Sequence, residues 1–176
     1  MKVSIRLAKV DDAERLLEIY SYYVEKTAIS FEIKMPTLAN FRGRISRTLK
    51  NFPYLVAEFE NKIIGYAYAH EFIGREAYKF SAELTIYLDK NFRRHGVGRK
   101  LYEELEKILR DVGIKNLYAC VGWVDVEDEF LNHDSANFHQ SLGFKIVGKF
   151  TKCGYKFNRW YDMIWLEKII GEHKQN

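Results

Sequence analysis

The run Leu84-Thr85-Ile86-Tyr87-Leu88 alternates like a strand and passes through Asp89-Lys90-Asn91-Phe92-Arg93-Arg94-His95-Gly96-Val97-Gly98-Arg99, a basic, glycine-bearing loop that opens straight into a helix. No other segment restricts the fold as tightly. Gly96 and Gly98 lack Cβ, so the backbone there turns sharply and presses its N–H groups against an anion, while the following helix points its positive end at the same spot. Arg93, Arg94, His95 and Arg99 surround it with basic side chains. After the loop, Val97, Leu101, Leu105, Ile108, Leu109 and Val112 form one buried helical stripe, Gly113 stops the helix, and Leu117–Val121 reads as the next strand. The segment is therefore a βαβ unit with an anion-binding loop at its first turn. Two other readings stand beside it. The glycines serve an ordinary helix entry, or the loop holds a dinucleotide; the latter lacks a third glycine and an acidic residue closing the second strand.

The chain has 176 residues, enough for one domain with a sizeable core, and no linker, repeat or low-complexity stretch divides it, so 1–176 is expected to be a single domain. The amino terminus is too polar for a signal peptide, and no apolar run approaches the roughly 20 residues that span a bilayer. A cytoplasmic protein without membrane contact is expected. The net charge of +4 is mild and clusters only at Arg93, Arg94, Arg99 and Lys100, which favours a local anionic ligand over a nucleic acid. Cys120 and Cys153 form no metal-like cluster, so no metal is implied; Cys120 is expected to be a buried thiol.

Elsewhere, Lys2–Leu7 reads as a strand, and Asp11 with Glu14 has capping-box spacing ahead of a helix whose apolar face is Ala13, Leu16, Leu17, Ile19, Tyr20 and Tyr23. The aromatic connection Thr27–Glu32 covers a pocket or is simply tucked onto the core. A second helix spans Thr37 to about Lys50, and strands Leu55–Phe59 and Ile63–Ala69 form a hairpin across Glu60-Asn61-Lys62. A polar, acidic stretch from Trp123 to His133 leads to a short helix, Ser135–Leu142, and two strands, Phe144–Phe150 and Arg159–Glu167, finish the chain. This β-α-α-β-β-β-α-β-α-β-β order implies an α/β fold with a mixed, mostly antiparallel sheet and helices on both faces.

With that order, the basic-x-x-Gly-x-Gly loop, Asn132-x-x-Ser135 and Phe138-His139-x-x-x-Gly143-Phe144, the chain resembles the GNAT superfamily of acetyl-CoA-dependent N-acetyltransferases over almost its whole length. More narrowly it resembles the phosphinothricin and methionine sulfoximine acetyltransferase branch, through Ile19-Tyr20-x-x-Tyr23-Val24-x-x-Thr27 with Phe31, Leu55–Glu58, Gly65–Ala69, Arg75-x-x-Tyr78, Ala82-Glu83-x-Thr85-Ile86-Tyr87 and Trp160-x-Asp162. The resemblance implies a sheet of about seven strands splayed between the fourth and fifth, with acetyl-CoA as cosubstrate in the gap. It places Ile86, Tyr87 and Leu88 along the pantetheine arm and the N–H groups of Arg93, Arg94, His95, Gly96, Val97, Gly98 and Arg99 on the pyrophosphate, with Asn132 and Ser135 as further cofactor contacts. Asn132 also reads as a helix cap.

Acetyl transfer requires a neutral amine, a donor for the oxyanion and a proton for the departing thiolate. Glu83 shares a strand face with Thr85 and Tyr87 and is the expected general base, directly or through water; an exposed strand carboxylate is the plain alternative. A fourth-strand N–H near Ile86–Leu88 is the expected oxyanion donor. His139 stands where many relatives carry a tyrosine acid, and is either that acid or a packing histidine. Phe31, Arg75, Tyr78 and Thr85 are expected to line the acceptor site, Arg75 through the carboxylate of an amino acid. Two departures from the branch, Ile73 and the longer acidic stretch after Trp123, lie near the acceptor. The implied partners are a small-molecule amine or amino-acid acceptor and a second copy in a homodimer, for which Trp160, Tyr161 and Trp165 are candidate interface residues. Alternatives are a polyamine, aminoglycoside or protein N-terminus as acceptor, and a CoA-binding sensor without catalysis.

Overall fold

The computed structural model describes residues 1–174. Seven strands form one sheet: β1 (Ser4–Leu7), β2 (Tyr54–Phe59), β3 (Lys62–Glu71), β4 (Ser81–Leu88), β5 (Asn116–Trp123), β6 (Lys145–Lys156) and β7 (Arg159–Ile169), in spatial order β1-β2-β3-β4-β5-β7-β6. Only β4 and β5 run parallel. Four helices cover it: α1 (Ala13–Lys26), α2 (Leu38–Thr48), α3 (Val97–Asp111) and α4 (Asp134–Ser141).

The period-two alternation of the strands feeds two cores. In β2, Leu55 and Ala57 join Ala67, Ala82 and Leu84 beneath the α3 stripe of Val97, Leu101, Leu105 and Leu109, whereas Tyr54 and Val56 turn to the other face against Leu16, Ile19, Tyr20 and Tyr23 of α1 and Phe41 and Ile45 of α2. Burial of each large side chain is worth about 1.5–3 kcal/mol, so the α3 stripe alone binds that helix firmly to the sheet. Thr37 starts α2 by accepting the Asn40 N–H at 3.1 Å. The capping box expected from Asp11 and Glu14 does not form. Asp12 instead accepts the Lys9 N–H at 2.7 Å and both terminal nitrogens of Arg6, because a short 3-10 turn over Val10–Asp12 precedes α1.

β4 and β5 pair only through Ser81–Asn116, Ala82–Leu117 and Glu83–Tyr118. Beyond Glu83, β4 stays with β3 as far as Leu88 and β5 stays with β7 as far as Trp123, so the sheet splits at that residue. The last hairpin is longer than its sequence pattern. It closes through Phe157 and Asn158 in left-handed backbone (φ 51° and 58°), and bulges at Ile146/Gly148 and Phe150/Gly154 interrupt the alternation by which a strand is recognised.

Candidate active site

The split in the sheet opens a cavity of about 390 Å³ lined by Tyr23, Ile86, Leu88, Arg93, Asn132 and Phe138, among others. The loop at its mouth has Arg94 and Gly96 in left-handed backbone (φ 62° and 75°), which turns neighbouring N–H groups toward the start of α3. A Cβ on Gly98 would approach the Phe138 ring at 3.0 Å, so glycine lets the first turn of α3 sit directly on the cavity wall. The Arg93 guanidinium lies 5.2 and 5.1 Å over the rings of Tyr22 and Tyr23, and its Nη2 is buried without a hydrogen-bond partner. A buried, unpaired cationic donor is costly, and an anion in this cavity satisfies it. The other basic side chains of the loop are engaged elsewhere: Arg94 with Asp134 at 3.0 Å, His95 with the Arg93 carbonyl and Arg99 with the Ser141 carbonyl. Asn132 lines the cavity, and its Oδ1 accepts the Asp134 N–H at 3.1 Å just ahead of α4, whose N-cap is His133. This lining suits a long ligand with an apolar arm and a phosphate end, as acetyl-CoA is.

Tyr87 shares with Ile86 and Leu88 the β4 backbone that the resemblance sets along the pantetheine arm, but its side chain points away from theirs. Its ring faces the opposite side of the sheet and packs on Tyr20, Tyr23 and Tyr66.

A second cavity of about 420 Å³ adjoins the split and is lined by Phe31, Glu32, Glu83, Thr85, Cys120 and His139, with Tyr20, Tyr68, Tyr87 and Tyr102 completing its aromatic walls. Ser135 is common to both cavities. Ile29 and Ile86 are shared as well, so the two cavities adjoin, and Glu83 lines the second of them. Burial raises its carboxyl above the usual range, and His70, directly opposite on β3 with Nε2 at 3.8 Å, pulls it back down. Cys120 is not buried as expected: it lies on the β5 face that the split leaves uncovered by β4, and desolvation in the cavity wall still pushes its thiol up to about 12.

His139 is buried in the wall of the second cavity, and its proton inventory is fixed. A carbonyl can only accept, so Nδ1 donates to the Ser135 carbonyl at 2.7 Å and Nε2 accepts from the Tyr102 hydroxyl at 2.9 Å. Burial lowers the imidazolium from its ordinary value of 6.5 to about 4, so the ring is neutral at pH 7. Tyr102 was not visible as a site residue in the sequence. Its clue was a hydroxyl beside the buried stripe of α3, which needs a partner.

Arg75 and Tyr78, expected at the acceptor site, do not line the second cavity. Both are exposed around the 3-10 turn between β3 and β4, where Tyr78 packs edge-on against Phe72. Phe31 and Thr85 do line it. The acidic stretch after Trp123 is largely paired internally: Asp125 with Lys149, Asp128 and Glu129 with Arg159. Tyr161 is core, whereas Trp160 is exposed. Among the described residues no group of three or more His, Cys, Asp or Glu is placed to hold a metal ion, and no helix is long and apolar enough to cross a membrane.

Comparison with known proteins agrees with this geometry. A family model described as an acetyltransferase (GNAT) domain matches residues 5–165. A phosphinothricin N-acetyltransferase from Streptomyces viridochromogenes is 30% identical over 161 residues, 92% of this chain and 84% of its own length. An L-methionine sulfoximine/L-methionine sulfone acetyltransferase from Salmonella typhimurium is 27% identical over 172 residues, 97% of this chain and 96% of its own. The crystal structure of a phosphinothricin acetyltransferase from Sinorhizobium meliloti in complex with acetyl-CoA superposes with a TM-score of 0.88 at 31% identity, covering 97% of this chain and 90% of its own.

Proposed function

Because the chain belongs to the GNAT acetyltransferase family, we propose that it transfers an acetyl group from acetyl-CoA to the α-amino group of a small amino acid or analogue, of the phosphinothricin or methionine sulfoximine type. The observation that carries this reading is Glu83, held at the end of the β4–β5 pairing in the wall of an acceptor-sized cavity that shares Ile29, Ile86 and Ser135 with an anion-fitting one.

When bound, acetyl-CoA supplies an acetyl thioester. Ile86, Leu88 and Phe138 give its arm an apolar wall, and the Arg94–Gly98 backbone with Arg93 faces its phosphates. The β4 edge beyond Glu83, free of β5, offers main-chain groups to the reacting carbonyl. Glu83 takes the proton of the incoming ammonium, directly or through water. Its raised pKa narrows the gap to the amine, which an ordinary carboxylate near 4.3 leaves wide. His139, neutral and with Nε2 committed to Tyr102, holds that hydroxyl at the cavity wall; a thiolate of pKa about 8.5 takes its proton from solvent.

A polycationic acceptor finds little support, since the acids after Trp123 are paired within the protein. A homodimer and a cytoplasmic location are part of the same proposal. The edge strand β6 and its hairpin expose Ile146, Val147, Phe150 and Trp160, and light scattering of the purified protein reads the oligomeric state directly. The test of function is thiol release from acetyl-CoA against phosphinothricin, methionine sulfoximine, methionine sulfone, common amino acids, spermidine and an aminoglycoside. Turnover concentrated on the amino-acid analogues is expected. Turnover of polycations alone, or of nothing despite acetyl-CoA binding, would remove the acceptor assignment.

A further inference from the structure

Tyr20, Glu32, Tyr68 and Tyr87 line the acceptor cavity on one side and a third cavity, of about 250 Å³, on the other. That third cavity, between α2 and the β2–β3 face, carries three basic side chains, Arg44, Arg47 and His70, and Glu32 is the one carboxylate in its lining. Glu32 belongs to the connection between α1 and α2. Arg44 holds it as a fork, Nη1 on Oε1 and Nη2 on Oε2 at 3.2 Å, while the Arg44 Nε donates to Asn40 Oδ1 at 2.8 Å and so fixes the plane of the guanidinium. The pair is 38% and 33% exposed at its two side chains, and ion pairs of that exposure are worth about 0.2–1 kcal/mol. Exchanging one carboxylate for another on Arg44 is therefore cheap.

We propose that the Glu32–Arg44 pair is the element by which the protein selects an amino-acid zwitterion. The acceptor's carboxylate takes the place of Glu32 on the Arg44 fork, and Glu32, released, faces the ammonium group in the cavity that also holds Glu83. The exchange is neutral for neutral. One internal ion pair is replaced by two, and neither Arg44 nor Glu32 is left unpaired. A diamine instead brings its second cation against Arg44, Arg47 and His70, and an amine without a carboxylate leaves the internal pair closed. Arg44 thus supplies, from the third cavity behind the shared wall, the guanidinium that the sequence pattern assigned to Arg75, which lines neither cavity.

The inference rests on the amino-acid reading above, and its test separates the two. The kcat/KM of methionine sulfone is compared with that of its α-carboxamide, at saturating acetyl-CoA, in the wild type, Arg44→Gln and Arg44→Lys, with spermidine alongside. The wild type is expected to favour the acid by about tenfold or more, as a bidentate charge-assisted pair allows. Arg44→Gln is expected to erase that preference through the KM of the acid rather than through kcat. Arg44→Lys, which keeps the charge but loses the fork, is expected to lose most of it and covers the case in which the glutamine variant does not fold. An acid-to-amide ratio that survives in either variant overturns the proposal. Equal wild-type turnover of acid and amide overturns it too, while leaving the amino-acid reading intact; wild-type turnover of spermidine alone removes both.

Discussion

Glu83 and His70 are direct neighbours across the β3–β4 ladder, and a positive charge on His70 lowers the proton affinity of Glu83. The groups around Glu83 are His70 and Tyr68 from β3, Tyr102 from α3 and Cys120 from β5; of these, His70 is the one whose positive charge opposes the effect of burial on Glu83. Burial favours the protonated carboxyl, and protonated His70 favours the carboxylate. The base is therefore lost as pH falls through the Glu83 titration. Replacing His70 with alanine removes the opposing cation and is expected to move the acidic limb of the kcat/KM profile to higher pH, whereas Glu83→Gln lowers kcat about 10²–10⁴-fold across the profile. Both are read from initial rates between pH 5 and 9; an unmoved limb in His70→Ala rules out the coupling, and an undiminished Glu83→Gln rate rules out the base. At this scale the sequence was informative wherever a residue's placement follows from strand alternation or loop chemistry, as for Glu83, Thr85 and the Gly96–Gly98 turn. It was silent on His70, because the loop joining β3 to β4 is long and irregular and hides which residues face each other. It misplaced Arg75 for the same reason.

Helices α3 and α4 are tied by a single buried polar link, Tyr102 to His139, inside an aromatic packet with Phe138 and Phe144. The link makes the pairing of these elements depend on pH. In the unfolded chain the imidazole takes up a proton near 6.5, and in the folded protein only near 4. Between those values the unfolded state binds the extra proton, so the contribution is complete above about pH 6.5 and is lost as pH falls through 4, a change of about 3 kcal/mol if the whole shift is realised. His139→Gln is expected to be less stable than the wild type at pH 7 by about 1–3 kcal/mol, the cost of a poorly satisfied Tyr102 hydroxyl, and to lose less stability on acidification. Urea unfolding at pH 7, 6, 5 and 4.5 reads both. A gap between the two proteins that stays constant with pH would show that His139 does not titrate as its burial requires. The elements themselves were legible from periodicity, since amphipathic stripes and capping residues act locally. The full length of β6 and β7 was not, because two bulges and a turn without glycine conceal a hairpin whose ladder is set by partner strands rather than by its own residues.

The whole molecule works by leaving one gap in an otherwise continuous sheet and closing a roof over part of it. A mixed, mostly antiparallel sheet was readable from the βαβ unit at the centre and the hairpins at the ends; the split between the fourth and fifth strands came from the family resemblance alone, and the insertion of β7 between β5 and β6 was not readable from the chain. The roof was only half readable: the aromatic connection after α1 was recognisable, but what holds it is contributed by β6, more than a hundred residues away in sequence. Lys156 is buried and donates to the Thr27 carbonyl at 2.8 Å and the Ser30 carbonyl at 2.6 Å, Ala28 N–H reaches the Phe130 carbonyl at 2.9 Å, and Phe31 lies so close to Gly154 that a Cβ there would approach its ring at 2.7 Å. The ammonium is the strongest of these ties, since both of its carbonyls lose a charge-assisted partner when it is removed. Lys156→Met keeps the length and apolar stem of the side chain and deletes only that charge. It is expected to cost about 2–4 kcal/mol of stability, as two carbonyls are left under-satisfied, and to raise the KM of the amino-acid acceptor several-fold because Ser30, Phe31 and Glu32 lose their placement on the cavity wall. A smaller change is expected for acetyl-CoA, whose cavity takes only Ile29 from the roof. Urea unfolding and the two KM values decide it: a stable variant with both constants unchanged means that the roof is held by its aromatic contacts alone, and equal increases in both mean that the loss is global rather than local to the acceptor side.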